Sequence, residues 1–137
     1  LYDDVSGIRF DNNLLNNVLF HGNINHEKLR SIYRISDFSI QTPLSEGFGK
    51  VPLESFVHGV IPLLSDVGVS KEITGNGSRG ECFSMNENFS ELYNKLNKIQ
   101  SNYNLKIDFI NNGYNYGKNI NLESWYGTLE KKLKDFY

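Results

Sequence analysis

The chain has 137 residues, 39% of them hydrophobic and 22% charged, enough for one domain with a modest core. Its formal net charge of -2 gives no general case for a nucleic acid or an anionic membrane as partner. A lone cysteine, Cys82, excludes an internal disulfide, fits a reducing compartment and reads as a packed thiol.

Residues 1–17 are ambiguous. Asp3 or Asp4 can cap a short helix carrying Val5 and Ile8, and Asn12, Asn13, Asn16 and Asn17 read as turn material. Val18-Leu19-Phe20 is a short apolar run ended by His21-Gly22-Asn23, which predicts a buried strand entering a loop. Asn25 then caps a helix from His26 to about Ile35, with Leu29, Ile32 and Tyr33 on one apolar face. Phe38-Ser39-Ile40 predicts the next strand, ended by Thr42-Pro43 because proline supplies no ladder N–H.

Glu46-Gly47-Phe48-Gly49-Lys50-Val51-Pro52-Leu53-Glu54 comes next. Pro52 suits the first turn of a helix, which places Glu54 in that turn, buries Leu53, Phe56 and Val57, and makes Gly59 the stop. Ile61-Pro62-Leu63-Leu64 predicts a buried strand, with Pro62 a mild objection, and Asp66-Val67-Gly68 a loop. Ser70 caps a short helix through Ile73. A turn cluster over 75–80 precedes a last strand, Glu81-Cys82-Phe83-Ser84. Asn86 or Asn88 caps an amphipathic helix carrying Phe89, Leu92, Leu96 and Ile99. A weaker helix runs from Leu105 to Tyr116, and Asn121 caps a final one with Leu122, Trp125, Leu129, Leu133 and Phe136 as its stripe.

Short strands, apolar on both faces, alternate with helices. This predicts an α/β fold, a Rossmann-like parallel sheet with helices on both faces. Ligands of such sheets bind at the carboxyl ends of the strands. Three loops fall there: His21 to Ile24, Pro43 to Val51, and Ser65 to Gly68. In the second, Gly47 and Gly49 let backbone approach a ligand, and the following helix points free N–H groups at the loop. A phosphate or diphosphate would sit there, with Lys50 adding charge. An ordinary strand-to-helix turn would carry the same glycines. Glu46 and Glu54 bracket the loop, and an ionised carboxylate accepts hydrogen bonds from the paired hydroxyls of a ribose or a sugar.

The stretch from Ser45 to Glu54 resembles the E-x-x-x-x-x-x-x-E motif of retaining, nucleotide-sugar-dependent glycosyltransferases of the GT-B fold. Val18-Leu19-Phe20-His21-Gly22 resembles the preceding strand of that family and its glycine. Leu29, Tyr33, Asp37, Thr42-Pro43, Gly59-x-Ile61-Pro62, Gly68-x-x-x-Glu72-Ile73 and Gly77-x-x-Gly80 continue the resemblance in order, and Trp125 stands where an aromatic precedes the closing helix. The resemblance implies transfer of a glycosyl group, with retained configuration, from a nucleotide-sugar donor to a saccharide or lipid-linked acceptor. It implies that Glu46 is catalytic and holds the donor sugar near the reacting carbon. By the same resemblance Glu54 accepts from the ribose, and Gly47, Phe48, Gly49, Lys50 and Val51 meet the diphosphate and sugar. Gly22, Asn23 and Ile24 would contact the nucleobase, mostly through backbone.

No bound metal or other cofactor is implied beyond the nucleotide-sugar substrate, and His21, His26 and His58 share no metal-like spacing. The family's diphosphate-clamping Arg and Lys have no counterpart here, since Lys50 and Arg79 stand elsewhere. The expectation is therefore a partial C-terminal, donor-binding lobe, lacking its first strands and the acceptor-binding N-terminal lobe, and inactive alone. A cytoplasmic setting is implied. Lys131, Lys132 and Lys134 read as a solvated helix face, with peripheral contact at the cytoplasmic side of a membrane as the alternative. Two other readings compete: a non-catalytic GT-B-like binding or partner subunit, and another nucleotide-sugar enzyme such as an epimerase.

Overall fold

The computed structural model describes residues 17–45, 49–85 and 89–120. The Asn25 side chain accepts the Lys28 amide at 2.9 Å and starts helix α1, His26–Tyr33, as the sequence predicts. Strand β1 is Phe38–Gln41, helix α2 is Lys50–Val57 and strand β2 is Ile61–Ser65. A short helix α3, Ser70–Ile73, leads to strand β3, Glu81–Phe83. Helices α4, Ser90–Gln100, and α5, Tyr103–Asn119, follow.

The strands form one sheet in the order β1-β2-β3, with both pairs parallel. All of β2 is buried, because both sheet faces are covered. On one face Ile61, Leu63 and Phe83 pack with Ile99 of α4 and Phe109 of α5. On the other, Leu64 packs with Phe56 of α2 and Ile73 of α3. Pro62 is accommodated because it precedes the first β2–β3 pair, Leu63 with Glu81. Its carbonyl side faces Gly80, where a Cβ would come within 2.7 Å of Pro62 O, so its missing N–H falls where no ladder bond is due.

Helix α5 lies across the amino ends of the strands. Lys106 Nζ meets Asp37 Oδ1 at 2.7 Å just before β1, and Asn112 Nδ2 donates to Ser78 O at 2.8 Å ahead of β3. Between them a Cβ on Gly59, ahead of β2, would lie 3.7 Å from Ile110. Two glycines let the far half of α5 close on α2. A Cβ at Gly113 would fall 2.5 Å from Phe56 Cδ1, and one at Gly117 would fall 3.0 Å from Phe56 Cβ. These glycines also weaken the helix signal in the sequence, which stops at Tyr116 where the helix runs on to Asn119.

Helix α2 ends as expected. Gly59 adopts φ +72°, its N–H bonds Phe56 O at 3.0 Å, and the Val60 N–H bonds Ser55 O at 2.9 Å.

Several expectations need correction. Residues 18–20 form no strand. They join no described sheet and lie exposed, Leu19 by 84%. Helix α1 stops at Tyr33, leaving Ile35 exposed. Helix α2 begins at Lys50, before Pro52, which makes Glu54 its fifth residue, in the second turn rather than the first. That phase buries Pro52, Ser55 and Phe56 and turns Val57 outward. Ser70 lies inside α3, its hydroxyl donating to Val67 O at 2.7 Å, and Val69 takes the cap position. Phe89 precedes α4 at φ +57° and is half exposed, so the buried face starts at Leu92. The expected helix before residue 17, the caps at Asn86 and Asn88 and the helix from Asn121 lie outside the described residues.

Gly113→Ala tests the α2–α5 contact. The added methyl meets the ring of Phe56, which is 1% exposed and has nowhere to move. Overpacking should outweigh the better helix propensity and destabilise the fold by about 1–3 kcal/mol in chemical denaturation. A stabilised variant would show that the contact is loose.

Candidate functional site

Because β1 feeds α2, the amino end of α2 opens at the carboxyl ends of the strands. Gly49 sits in the cap position at φ -59°, so its freedom to take positive φ is not used, and no side chain among the described residues caps the helix. Among the described residues no side chain accepts from the first-turn amides, and Pro52 contributes no N–H. Gly49 is buried, Lys50 exposed, and Val51 and Glu54 half-buried. Glu46, Gly47 and Phe48 lie outside the described residues.

Serines, which the sequence reading passed over, fix this loop and helix. Ser55 Oγ donates to Val51 O at 2.8 Å, which leaves Ser39 Oγ on β1 as the donor in the 2.8 Å Ser39–Ser55 contact. Buried Ser65, at the end of β2, donates to Pro43 O at 2.7 Å and ties the β1 loop to its neighbour. Small hydroxyls within otherwise apolar runs were the signal available for them.

Glu54 has company that the motif alone does not show. The phenol of Tyr33, the last residue of α1, donates to Glu54 Oε2 at 3.4 Å. One turn on from Glu54, His58 Nδ1 donates to Glu54 O at 2.7 Å, which fixes its tautomer. The His58 ring stacks on Tyr33 with centroids 5.0 Å apart and planes 17° from parallel. Burial pushes the Tyr33 phenol above its ordinary range, so it stays protonated and acts as a donor.

The loop from His21 to Ile24 precedes α1. Gly22 takes φ +60°, His21 and Asn23 are exposed, and Ile24 is half-buried. Helix α1 precedes β1 in the chain, and its last residue, Tyr33, meets α2 at Glu54 and His58. The loop singled out after β1 starts at the carboxyl end of the sheet. The third, after β2, lies there too, with Asp66 N bonding Phe83 O at 2.9 Å and Asp66 paired with Lys71 at 2.7 Å. Among the described residues no group of His, Cys, Asp or Glu gathers to hold a metal ion, and no helix is long and apolar enough to cross a membrane.

A family model for group 1 glycosyl transferases matches residues 11–116, and the chain belongs to that family. Its structure is similar to that of a sucrose-phosphate synthase from Thermosynechococcus elongatus, with a TM-score of 0.74 and 23% identity over 91% of this chain. The chain spans 32% of that protein's length. At that identity the likeness speaks for the fold, the α/β architecture of a GT-B glycosyltransferase. No curated protein matches the chain.

A groove of about 450 Å³ beside β3 is lined by Asp66, Lys71, Thr74, Cys82 and Lys95 among others, and by none of the described residues singled out in the sequence as donor-binding. Its charges are satisfied internally. Lys95 meets Glu91 at 3.1 Å and Glu81 at 3.3 Å, and also donates to Cys82 O on the outer edge of β3. Burial pushes the Cys82 thiol up, which fits a packed thiol. Glu91 Oε2 accepts the Ser84 amide at 2.8 Å, and that bond holds its carboxyl below the usual carboxylate range.

A carboxyl depressed on folding adds stability above its unfolded pKa and loses it as pH falls through the folded value. Glu91→Gln should therefore shallow the acid limb of stability measured by denaturation between about pH 5 and 2. An acid limb identical to the parent's would remove Glu91 from the edge contact.

Proposed function

We propose that the chain is part of the donor-binding lobe of a retaining glycosyltransferase. That enzyme moves a glycosyl group from a nucleotide diphosphate sugar to a saccharide or lipid-linked acceptor. The observation that supports this reading is the amino end of α2, capped by no side chain among the described residues, at the carboxyl ends of the strands, with Glu54 one turn further in. An uncapped helix start offers amides and positive dipole to a diphosphate, and exposed Lys50 adds charge. Glu54 accepts hydrogen bonds from the ribose diol. Gly47 to Val51 pass along the diphosphate and sugar, and Glu46 holds the sugar near the reacting carbon. Gly22, Asn23 and Ile24 meet the nucleobase.

In the reaction the anomeric C–O bond to the diphosphate breaks as the acceptor oxygen bonds the same carbon from the same face. The acceptor proton leaves with the diphosphate. The protein supplies position and charge stabilisation rather than a cofactor. The acceptor is held by a lobe outside this chain, at a cytoplasmic site.

Calorimetric titration of the complete protein with UDP, GDP and ADP tests this. One nucleotide should bind, and Glu54→Ala should weaken it about tenfold or more, as expected for loss of a charged hydrogen-bond partner. Glu46→Ala should reduce transfer far more than nucleotide affinity. Binding of none of the three, or unchanged affinity in Glu54→Ala, would contradict the reading.

A further inference from the structure

Glu54 sits half-buried on α2, and a carboxylate that must receive a diol gains from being held in one rotamer before the ligand arrives. Its own helix supplies no such restraint, because His58, one turn on, bonds the Glu54 backbone carbonyl rather than the carboxylate. The restraint comes from α1, where the Tyr33 phenol reaches Glu54 Oε2 at 3.4 Å. That distance is long for a phenol–carboxylate bond, so it takes one lone-pair site lightly and leaves the rest of the carboxylate open to a ligand. The Tyr33 ring is itself held, 7% exposed and stacked on His58 at 5.0 Å.

We infer that Tyr33 is a positioning residue for Glu54, orienting its carboxylate toward the ribose diol of the donor, with His58 clamping the Tyr33 ring against α2. The inference rests on the donor-site reading of Glu54. Tyr33 donates to one carboxylate oxygen and the ligand's hydroxyls to the free lone pairs, so one carboxylate accommodates both. Tyr33 thus acts through Glu54 and touches no reacting atom.

The test uses the complete protein carrying this chain and four forms of it: parent, Tyr33→Phe, Glu54→Ala and the double variant. Each is titrated with the nucleoside diphosphate that the parent binds and with its 2′,3′-dideoxy analogue. Tyr33→Phe keeps the ring and its stack and removes only the hydroxyl. It should weaken the ribonucleotide roughly three- to tenfold, the effect of one hydrogen bond. It should leave the dideoxy affinity within about twofold and add no further loss in the Glu54→Ala background. Equal losses on both nucleotides, a loss that persists without Glu54, or no loss at all would overturn the positioning role while leaving the donor site intact. If Glu54→Ala itself leaves ribonucleotide affinity unchanged, the donor-site reading fails and the inference fails with it.

Discussion

Phe56 seated against Gly113 and Gly117 decides where everything else can lie. The ring belongs to α2 and the glycines to α5, and any Cβ at those positions would hold the helices apart. Edge-on contact with Tyr116, ring centroids 5.9 Å apart, continues the same seam. With its far half locked to α2, α5 runs back beneath the amino ends of all three strands through Ile110, Asn112 and Lys106. Its near half adds Phe109 to the opposite sheet face. One helix therefore serves both core clusters and closes one end of the sheet, leaving its carboxyl ends for chemistry.

The same seam gives α2 its rotation. With Phe56 inward, Ser55 must face β1, and its link to Ser39 follows. Glu54, one residue back, then turns toward α1 and meets Tyr33. The orientation of the carboxylate is a consequence of core packing, carried along about half a turn of helix. In the groove beside β3, acids and bases answer one another along the outer edge of the strand.

Much of this was legible in the sequence. Asn25 announced α1 because its side chain has one geometric use there, and Gly59 announced the end of α2 because the chain needs φ +72°. The alternation of apolar runs with helical spacing was enough for the parallel sheet. The phase of α2 was less legible. Pro52 is permitted anywhere in a first turn, so it left the start uncertain by two residues and Glu54 in the first turn instead of the second; Val57 is exposed because the buried side is set by Phe56 against α5, which local spacing does not show. Residues 18–20 read as a strand because they are apolar, but pairing depends on a neighbour that local sequence does not describe. Tyr33 and His58 could not be assigned to Glu54 from spacing alone, since Tyr33 lies 21 residues away and meets it only through the fold.

The most direct test of the account is a crystal structure of the complete protein with its nucleoside diphosphate. The account predicts the phosphates against the amino end of α2 and the ribose hydroxyls on Glu54, with Tyr33 still bonded to the same carboxylate. A nucleotide lodged in the groove beside β3, clear of α2, would contradict it.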